Sequence, residues 1–190
     1  MTREQEAILH ADVTRVAVRV EVGYTINQDS KSSGLPGRYV LGAIYDSSDY
    51  EKFSDPNVNE DGNYGFYGIA EQMVYREGAA GSDEGLTAWA SVTFSPEDDI
   101  NTLPVGVFAG ANYKGLIDGR DDDVTAFGVY YGLFSDDLPG QNSEVVFELN
   151  YRVQVAPSTY ITPDIQYVLN PNGGGIQDAL VLGFEASIDF

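Results

Sequence analysis

One property constrains the fold of this chain more than any other: apolar side chains recur at every second residue, in run after run, up to the last residue. Residues 144–155 show it best. Val145, Phe147, Leu149, Tyr151, Val153 and Val155 fall on one side, and Glu144, Glu148, Asn150, Arg152 and Gln154 on the other. A period of two is the signature of a strand with one apolar face, whereas a helix would repeat near 3.6. A slip of one residue would carry two glutamates onto the apolar face, so the register is firmly specified.

The pattern repeats along the chain. In 15–24, Val16, Val18, Val20, Val22 and Tyr24 oppose Arg15, Arg19 and Glu21. In 38–46, Tyr39, Leu41, Ala43 and Tyr45 oppose Arg38 and Asp46. In 86–94, Leu86, Ala88, Ala90, Val92 and Phe94 oppose Thr87, Trp89, Ser91 and Thr93. In 103–114 the apolar set ends on Tyr113 and opposes Asn112 and Lys114; in 159–169, Ile161, Ile165, Tyr167 and Leu169 oppose Thr162, Asp164 and Gln166. Segments 66–77 and 123–134 read as strands of undecided facing, because Glu71 and Gln72 place a polar group on each side of the first. Turn-rich acidic stretches separate these runs at 46–65, 78–84, 96–102, 117–123, 135–143 and 170–178, and Val155-Ala156-Pro157-Ser158 reads as a tight connection. The total is roughly nine strands of about ten residues, the length of a tilted membrane-spanning strand. The expected fold is therefore all-β: an antiparallel transmembrane β-barrel wall.

Composition narrows the function classes. A formal charge of -20 leaves no basic face to displace counterions, which argues against nucleic acid as a partner. With no cysteine and one histidine, His10, the chain offers no thiolate metal site, and zinc or Ser-His-Asp chemistry has too few residues to work with. No cofactor, metal or catalytic residue is expected. Glu144 and Glu148 lie on one strand facing solvent, without the environment that splits the pKa values of a glycosidase pair. Asn57-Val58-Asn59-Glu60-Asp61-Gly62 resembles the start of a calcium loop, but its twelfth position is Gly68 instead of glutamate, and a solvated loop is the expectation. Asp121-Asp122-Asp123 reads as a charged turn.

No apolar stretch reaches the ~18 residues of a membrane helix, and this does not exclude a barrel, whose strands show lipid only every second residue. Met1-Thr2-Arg3-Glu4-Gln5 leads into no apolar export segment, and residues 1–11 read as an N-terminal extension before a barrel segment over 12–190. An exported barrel needs a signal peptide, so either the numbering omits it or the chain is an incomplete gene product.

The last strand is the most informative. Leu180, Leu182, Phe184, Ala186, Ile188 and Phe190 alternate without a break and end on an aromatic, against Val181, Gly183, Glu185, Ser187 and Asp189. This resembles the insertion signal that bacterial outer-membrane assembly machinery reads, with Phe184, Ile188 and Phe190 as its carriers. Such a terminus lies on the periplasmic side. Alternating strands then put 156–158 in the periplasm and 170–178, 135–143 and 46–65 outside.

Several stretches are similar to the carbohydrate-selective porins of the OprB type. They are Gly34-Leu35-Pro36-Gly37-Arg38-Tyr39 leading to Gly42-Ala43-Ile44-Tyr45-Asp46, Phe66-Tyr67-Gly68 with Glu71-Gln72-Met73-Val74-Tyr75-Arg76, Tyr113-Lys114-Gly115-Leu116-Ile117 with Gly119-Arg120-Asp121-Asp122-Asp123, Tyr151-Arg152-Val153-Gln154-Val155, and, most telling, Tyr160 to Pro171. The resemblance spans roughly 12–190 and matches the C-terminal half of the family. It implies a sixteen-stranded outer-membrane barrel through which sugars diffuse passively. The half of the family's chain that precedes it, with much of the loop that narrows the pore, has no counterpart here, so no constriction residue is carried over.

A sugar pore needs polar groups that exchange hydrogen bonds with hydroxyls, aromatic faces for pyranose rings, and binding weak enough for release. The strand residues expected to face the lumen and contact substrate are Arg15, Arg19, Arg38, Trp89, Phe108, Glu144, Glu148, Asn150, Arg152, Asp164 and Gln166, in a wall that also shows Glu21, Lys114, Gln154 and Glu185. Arg15, Arg19 and Arg152 near Glu144 and Glu148 are the expected sugar contacts. The plainer alternative is that these residues only solvate the wall and pair across strands. Trp89 and Phe108 are either stacking platforms or, for Trp89, a rim aromatic. Tyr24, Tyr39, Tyr45, Tyr113, Tyr151 and Tyr167 read as an interfacial girdle. Expected partners are sugars or small solutes, outer-membrane lipid, the assembly machinery and, as porins often form them, a homotrimer. Two rival readings stand beside this one: a soluble acidic β-sandwich that binds carbohydrate, and a split-gene porin fragment with open sheet edges and no transport of its own.

Overall fold

The computed structural model describes residues 15–29 and 32–188. The expected N-terminal extension, 1–11, and the terminal Phe190 lie outside the described residues. Nine strands follow one another: β1 (Ala17–Ile26), β2 (Gly37–Glu51), β3 (Asn59–Arg76), β4 (Gly85–Phe94), β5 (Val105–Lys114), β6 (Val124–Leu133), β7 (Ser143–Ala156), β8 (Thr159–Leu169) and β9 (Ala179–Ile188). Short 3-10 turns at Asp98–Ile100 and Pro171–Gly173 are the helical pieces among the described residues. Each strand pairs antiparallel with the next, so the sheet is a simple meander in chain order. No pairing joins β1 to β9, and the sheet is open along both.

The amphipathicity of this sheet is the reverse of a soluble protein's. Its apolar row lies on the exposed side: Val22 and Leu41 are each 72% exposed, Leu182 73% and Phe184 79%. Buried apolar side chains among the described residues are few, namely Val40, Met73, Ile100 and Phe134. A soluble sandwich would bury the apolar rows against a second sheet. Here one sheet accounts for all nine strands, so the sandwich reading fails. A surface this apolar requires a non-aqueous neighbour, and lipid meets that requirement for a barrel wall.

The pairing also decides the two strands whose facing the sequence leaves open. In β3, Tyr67, Ile69, Glu71 and Met73 share the polar face with Thr93, Ser91, Trp89 and Thr87 of β4. A register shift between Met73 and Tyr75 then returns Tyr75 to the apolar face opposite Leu86. Gln72 therefore sits on the apolar side, where an unpaired amide would be costly. It is fully engaged: Nε2 donates to the carbonyls of Leu35, Pro36 and Met73, and Oε1 accepts from the Tyr39 hydroxyl at 2.7 Å. In β6, Val124, Ala126, Gly128, Tyr130 and Gly132 take the polar face.

One expectation needs correction. Stretch 46–65 is not a long loop: β2 continues to Glu51 and β3 begins at Asn59, so the connection is 52–58. The ladder survives through a bulge between Asp46 and Asp49, and Asp49, Tyr50 and Glu51 pair with Asp61, Glu60 and Asn59. Asn59 to Gly62, the heart of the calcium-like pattern, are thus strand residues. Connections at this end of the sheet are knitted together. Phe53 N–H donates to the Asp99 carbonyl, Ser135 N–H to that of Thr102, and Asn142 N–H to that of Gly173, around the buried Ile100 and Phe134. At the opposite end Pro157 and Ser158 alone separate β7 from β8.

Candidate pore-lining site

Directly paired residues share a face, so the registers assemble the polar face row by row. One row runs Glu21, Gly42, Tyr67, Thr93, Gly106, Gly132, Glu144. The next runs Gly23, Val40, Ile69, Ser91, Phe108, Tyr130, Val146, Val168. A third runs Thr25, Arg38, Glu71, Trp89, Gly110, Gly128, Glu148, Gln166. Asn112, Ala126, Asn150 and Asp164 belong to the row beyond. Trp89, Phe108, Arg38, Glu148 and Gln166 are therefore co-facial, as their alternation predicts.

Two clusters stand out. On β1 to β3, the Tyr67 ring lies across Gly42, where a β-carbon would collide with it. Its hydroxyl donates to Glu21 Oε2 at 2.6 Å and accepts from Arg19 Nε at 2.6 Å. Arg19 also pairs directly with Glu21 and stands 5.1 Å from the Tyr67 ring centroid. A cation, a carboxylate and a phenol are thus locked together on the polar face.

On β4 to β8 the grouping is aromatic and amide-rich. The Trp89 indole donates to Asn112 Oδ1 at 3.0 Å. Phe108 and Tyr130 pack at 4.4 Å between centroids with planes tilted by 34°. Glu148 accepts from Asn150 Nδ2 at 2.8 Å on one oxygen and from Gln166 Nε2 at 3.0 Å on the other. Trp89, Phe108, Tyr130, Glu148 and Asn150 border a depression of about 160 Å³.

The structure separates the residues expected to act together. Arg15 and Arg19 belong to the β1 edge, and β2 to β6 lie between them and Glu144 and Glu148 on β7. Arg15 stands 3.9 Å from Asp49 instead. Arg152 stacks over Tyr160, 4.5 Å from its ring centroid. Glu144 accepts the Asn172 N–H at 2.8 Å and so secures the β8–β9 connection. Arg38 is opposite Glu71, and Asp164 is in register with Asn150 and Gly183.

Sequence reasoning missed Tyr67, Tyr130 and Tyr160, all on the polar face. Tyrosine reads as girdle by default, and two of the three lie on the strands of undecided facing. The glycines on facing strands were the available signal: a strand glycine marks a place where a neighbouring group comes close. At the other end of the strands, Lys114 pairs with Asp83 at 2.5 Å, and Gln154 and Glu185 continue the polar face.

The family model described as carbohydrate-selective porin, OprB family, matches residues 6–190. QuiX of Acinetobacter baylyi is 27% identical over 184 residues, which cover 83% of this chain and 41% of QuiX. Porin B of Pseudomonas aeruginosa is 25% identical over 191 residues, covering 82% and 42%. The high-pH structure of Pseudomonas putida OprB superimposes with a TM-score of 0.81 at 24% identity, covering 92% of this chain and 48% of that one. The low-pH structure gives 0.66 at 23% identity, covering 93% and 47%. At such identities these structures speak for the fold alone. The chain spans about two fifths of the length of the two sequence relatives.

Proposed function

The chain belongs to the carbohydrate-selective porin family, OprB type, and from that premise we propose that its sheet is wall of an outer-membrane channel for passive diffusion of carbohydrates and other small solutes. The observation that carries this reading is the continuous sidedness of the sheet. Every one of the nine registered strands carries an exposed large apolar side chain on one common face, from Val22 and Leu41 to Leu149 and Leu182, and the charged side chains of the strands lie mainly on the other. Lipid on one side and a wet lumen on the other account for both. In this reading Arg19, Arg38, Trp89, Phe108, Glu148, Asn150, Arg152, Asp164 and Gln166 line the lumen, with Arg15 and Glu144 near its outer end. The role is that of a channel, not an enzyme. The terminal strand, with Phe184 and Ile188 on its lipid side, serves insertion by the assembly machinery, and trimers of closed barrels fit the reading.

The test is conductance in planar bilayers with and without added sugar. Current that falls as sugar is added is the expected result. An absence of sugar-sensitive current from a closed barrel that contains this sheet ends the sugar-selective claim.

The open edges favour a companion reading, in which this sheet works only as part of a larger wall. β1 and β9 run in the same direction, because the strand count between them is odd. Antiparallel closure then demands an odd number of additional strands, about seven for a sixteen-stranded barrel of the OprB type. A second copy does not supply this, since two copies about one barrel axis would bring β1 beside β9 in parallel. Reconstitution of this chain alone, giving no current, against reconstitution with a complementary seven-stranded segment, giving current, would establish the companion reading. Sugar-sensitive current from the chain alone would dismiss it.

A further inference from the structure

We propose that the Trp89 indole forms a flat platform on the lumen wall on which a single pyranose ring stacks, with the stacked Phe108–Tyr130 pair beside it and Glu148 as its hydroxyl-binding edge. The inference rests on the pore reading and assigns it a specific site.

The platform exists because glycines leave room for the indole to lie down. A β-carbon at Gly110 would come within 2.5 Å of Trp89 Cζ2, and one at Gly128 within 3.2 Å of Trp89 Cη2. The indole therefore covers two neighbouring strands of its own row and points toward Glu148, the next residue in that row. The hydroxyl end of Tyr130 lies over Gly132 of its own strand, and its ring stacks against Phe108 at 4.4 Å between centroids. A ring held against the sheet turns its face to the lumen, whereas a ring standing on a side-chain-filled wall turns its edge. The Asn112 hydrogen bond at 3.0 Å then fixes the indole in that pose.

What remains exposed is chemically matched to a pyranoside. A sugar ring has an apolar C–H face bordered by hydroxyls. Phe108, 38% exposed on the polar face, borders the same depression as the indole. Each Glu148 oxygen receives one amide hydrogen, from Asn150 or from Gln166, and keeps a second lone pair for a hydroxyl. The fixed carboxylate disfavours anionic sugars by like-charge repulsion.

Trp89 is the single tryptophan of the chain, so its fluorescence reads this site directly. The protein in detergent micelles is titrated with maltotriose and, in parallel, with sorbitol, an open-chain polyol that offers hydroxyls without a ring. The expected result is a saturable change of emission with maltotriose and none with sorbitol. Glu148→Gln should weaken the apparent affinity about three- to tenfold, the effect of losing one charged hydrogen-bond acceptor. Phe108→Ala, which keeps the fluorophore, should weaken it as well. No saturable change with maltotriose, or an equal change with sorbitol, overturns the platform. Maltotriose block of the current without a Trp89 response removes the platform and leaves the pore reading intact. A saturable Trp89 response in a protein whose current ignores sugar sustains the platform as a binding site and removes the transport reading.

Discussion

Tyr151 donates its phenolic hydrogen to Asp123 Oδ2 at 2.5 Å, tying a residue on the apolar row of β7 to a carboxylate in the turn that precedes β6. Asp123 is buried and its two oxygens are fully used. Arg120 Nε and Nη2 reach Oδ2 and Oδ1 at 2.6 and 2.9 Å, and the Gln154 N–H donates to Oδ1 at 2.8 Å. The last contact explains the position. The β6 pairing ends with Val124 opposite Arg152, so β7 runs on past its neighbour and exposes amide groups. Asp123 supplies the acceptor that the absent strand residue would have given.

Asp123→Ala should therefore destabilise the sheet at this corner by about 2–3 kcal/mol, the cost of stranding buried donors. Thermal unfolding in detergent should show a clear fall in Tm. Asp121→Ala and Asp122→Ala, whose side chains are exposed, should change it little.

The same carboxylate predicts a pH dependence. Burial pushes the Asp123 carboxyl toward the neutral form, but Tyr151, the Gln154 amide and Arg120 outweigh it and hold the group below the usual carboxylate range. A carboxyl depressed in the folded state stabilises fully above its unfolded pKa of about 3.9 and loses that contribution as pH falls toward its folded value. Unfolding midpoints measured from pH 7 downward should be flat to about pH 4 and then decline. Asp123→Asn should flatten this particular decline; a variant that keeps the full slope would assign the acid sensitivity elsewhere.

How much of this was legible in the sequence depends on whether the period of two ran unbroken. β8 and β9 are uninterrupted, as is β7 up to Gln154, and their facing follows directly from alternation. β3 is not: the shift at Met73 and Tyr75 reverses the phase, so no single alternation describes it. The bulge at Asp46 and Asp49 hides the continuation of β2 in the same way. β6 fails for another reason. Its polar face carries Gly128 and Gly132, which have no side chain to show polarity, and Tyr130, which suits either face. Trp89 and Phe108 were visible as aromatics on a polar face, but the third ring and the glycines beneath it needed the register. The expected joining of Arg15 and Arg19 with Glu144 and Glu148 failed because alternation assigns a face and not a neighbour.

Sidedness itself is testable at two adjacent residues. Val92 lies on the apolar row between Gly68 and Val107, and Ser91 on the polar row between Ile69 and Phe108. Val92→Lys should cost about 2–4 kcal/mol if that row meets the bilayer midplane, whereas Ser91→Lys should be close to neutral. Unfolding from lipid vesicles in denaturant would compare them. Equal costs would mean the sheet does not divide lipid from water.

The glycine beneath a reclining ring offers the last prediction. At Gly42 an added methyl meets the Tyr67 ring carbons and hydroxyl, the end of a side chain held in place by Glu21 and Arg19. The ring has to lift, and both hydrogen bonds go with it. Gly42→Ala should thus destabilise by about 1–3 kcal/mol, as overpacking does. Tyr67→Phe keeps the ring in its groove but strips the hydroxyl, so it should cost less, about 0.5–1.5 kcal/mol. If the contact between ring and glycine is what matters, Tyr67→Ala combined with Gly42→Ala should be no less stable than Tyr67→Ala alone. A double variant that loses the full sum of both effects would show that Gly42 is needed for its backbone and not for the space it leaves.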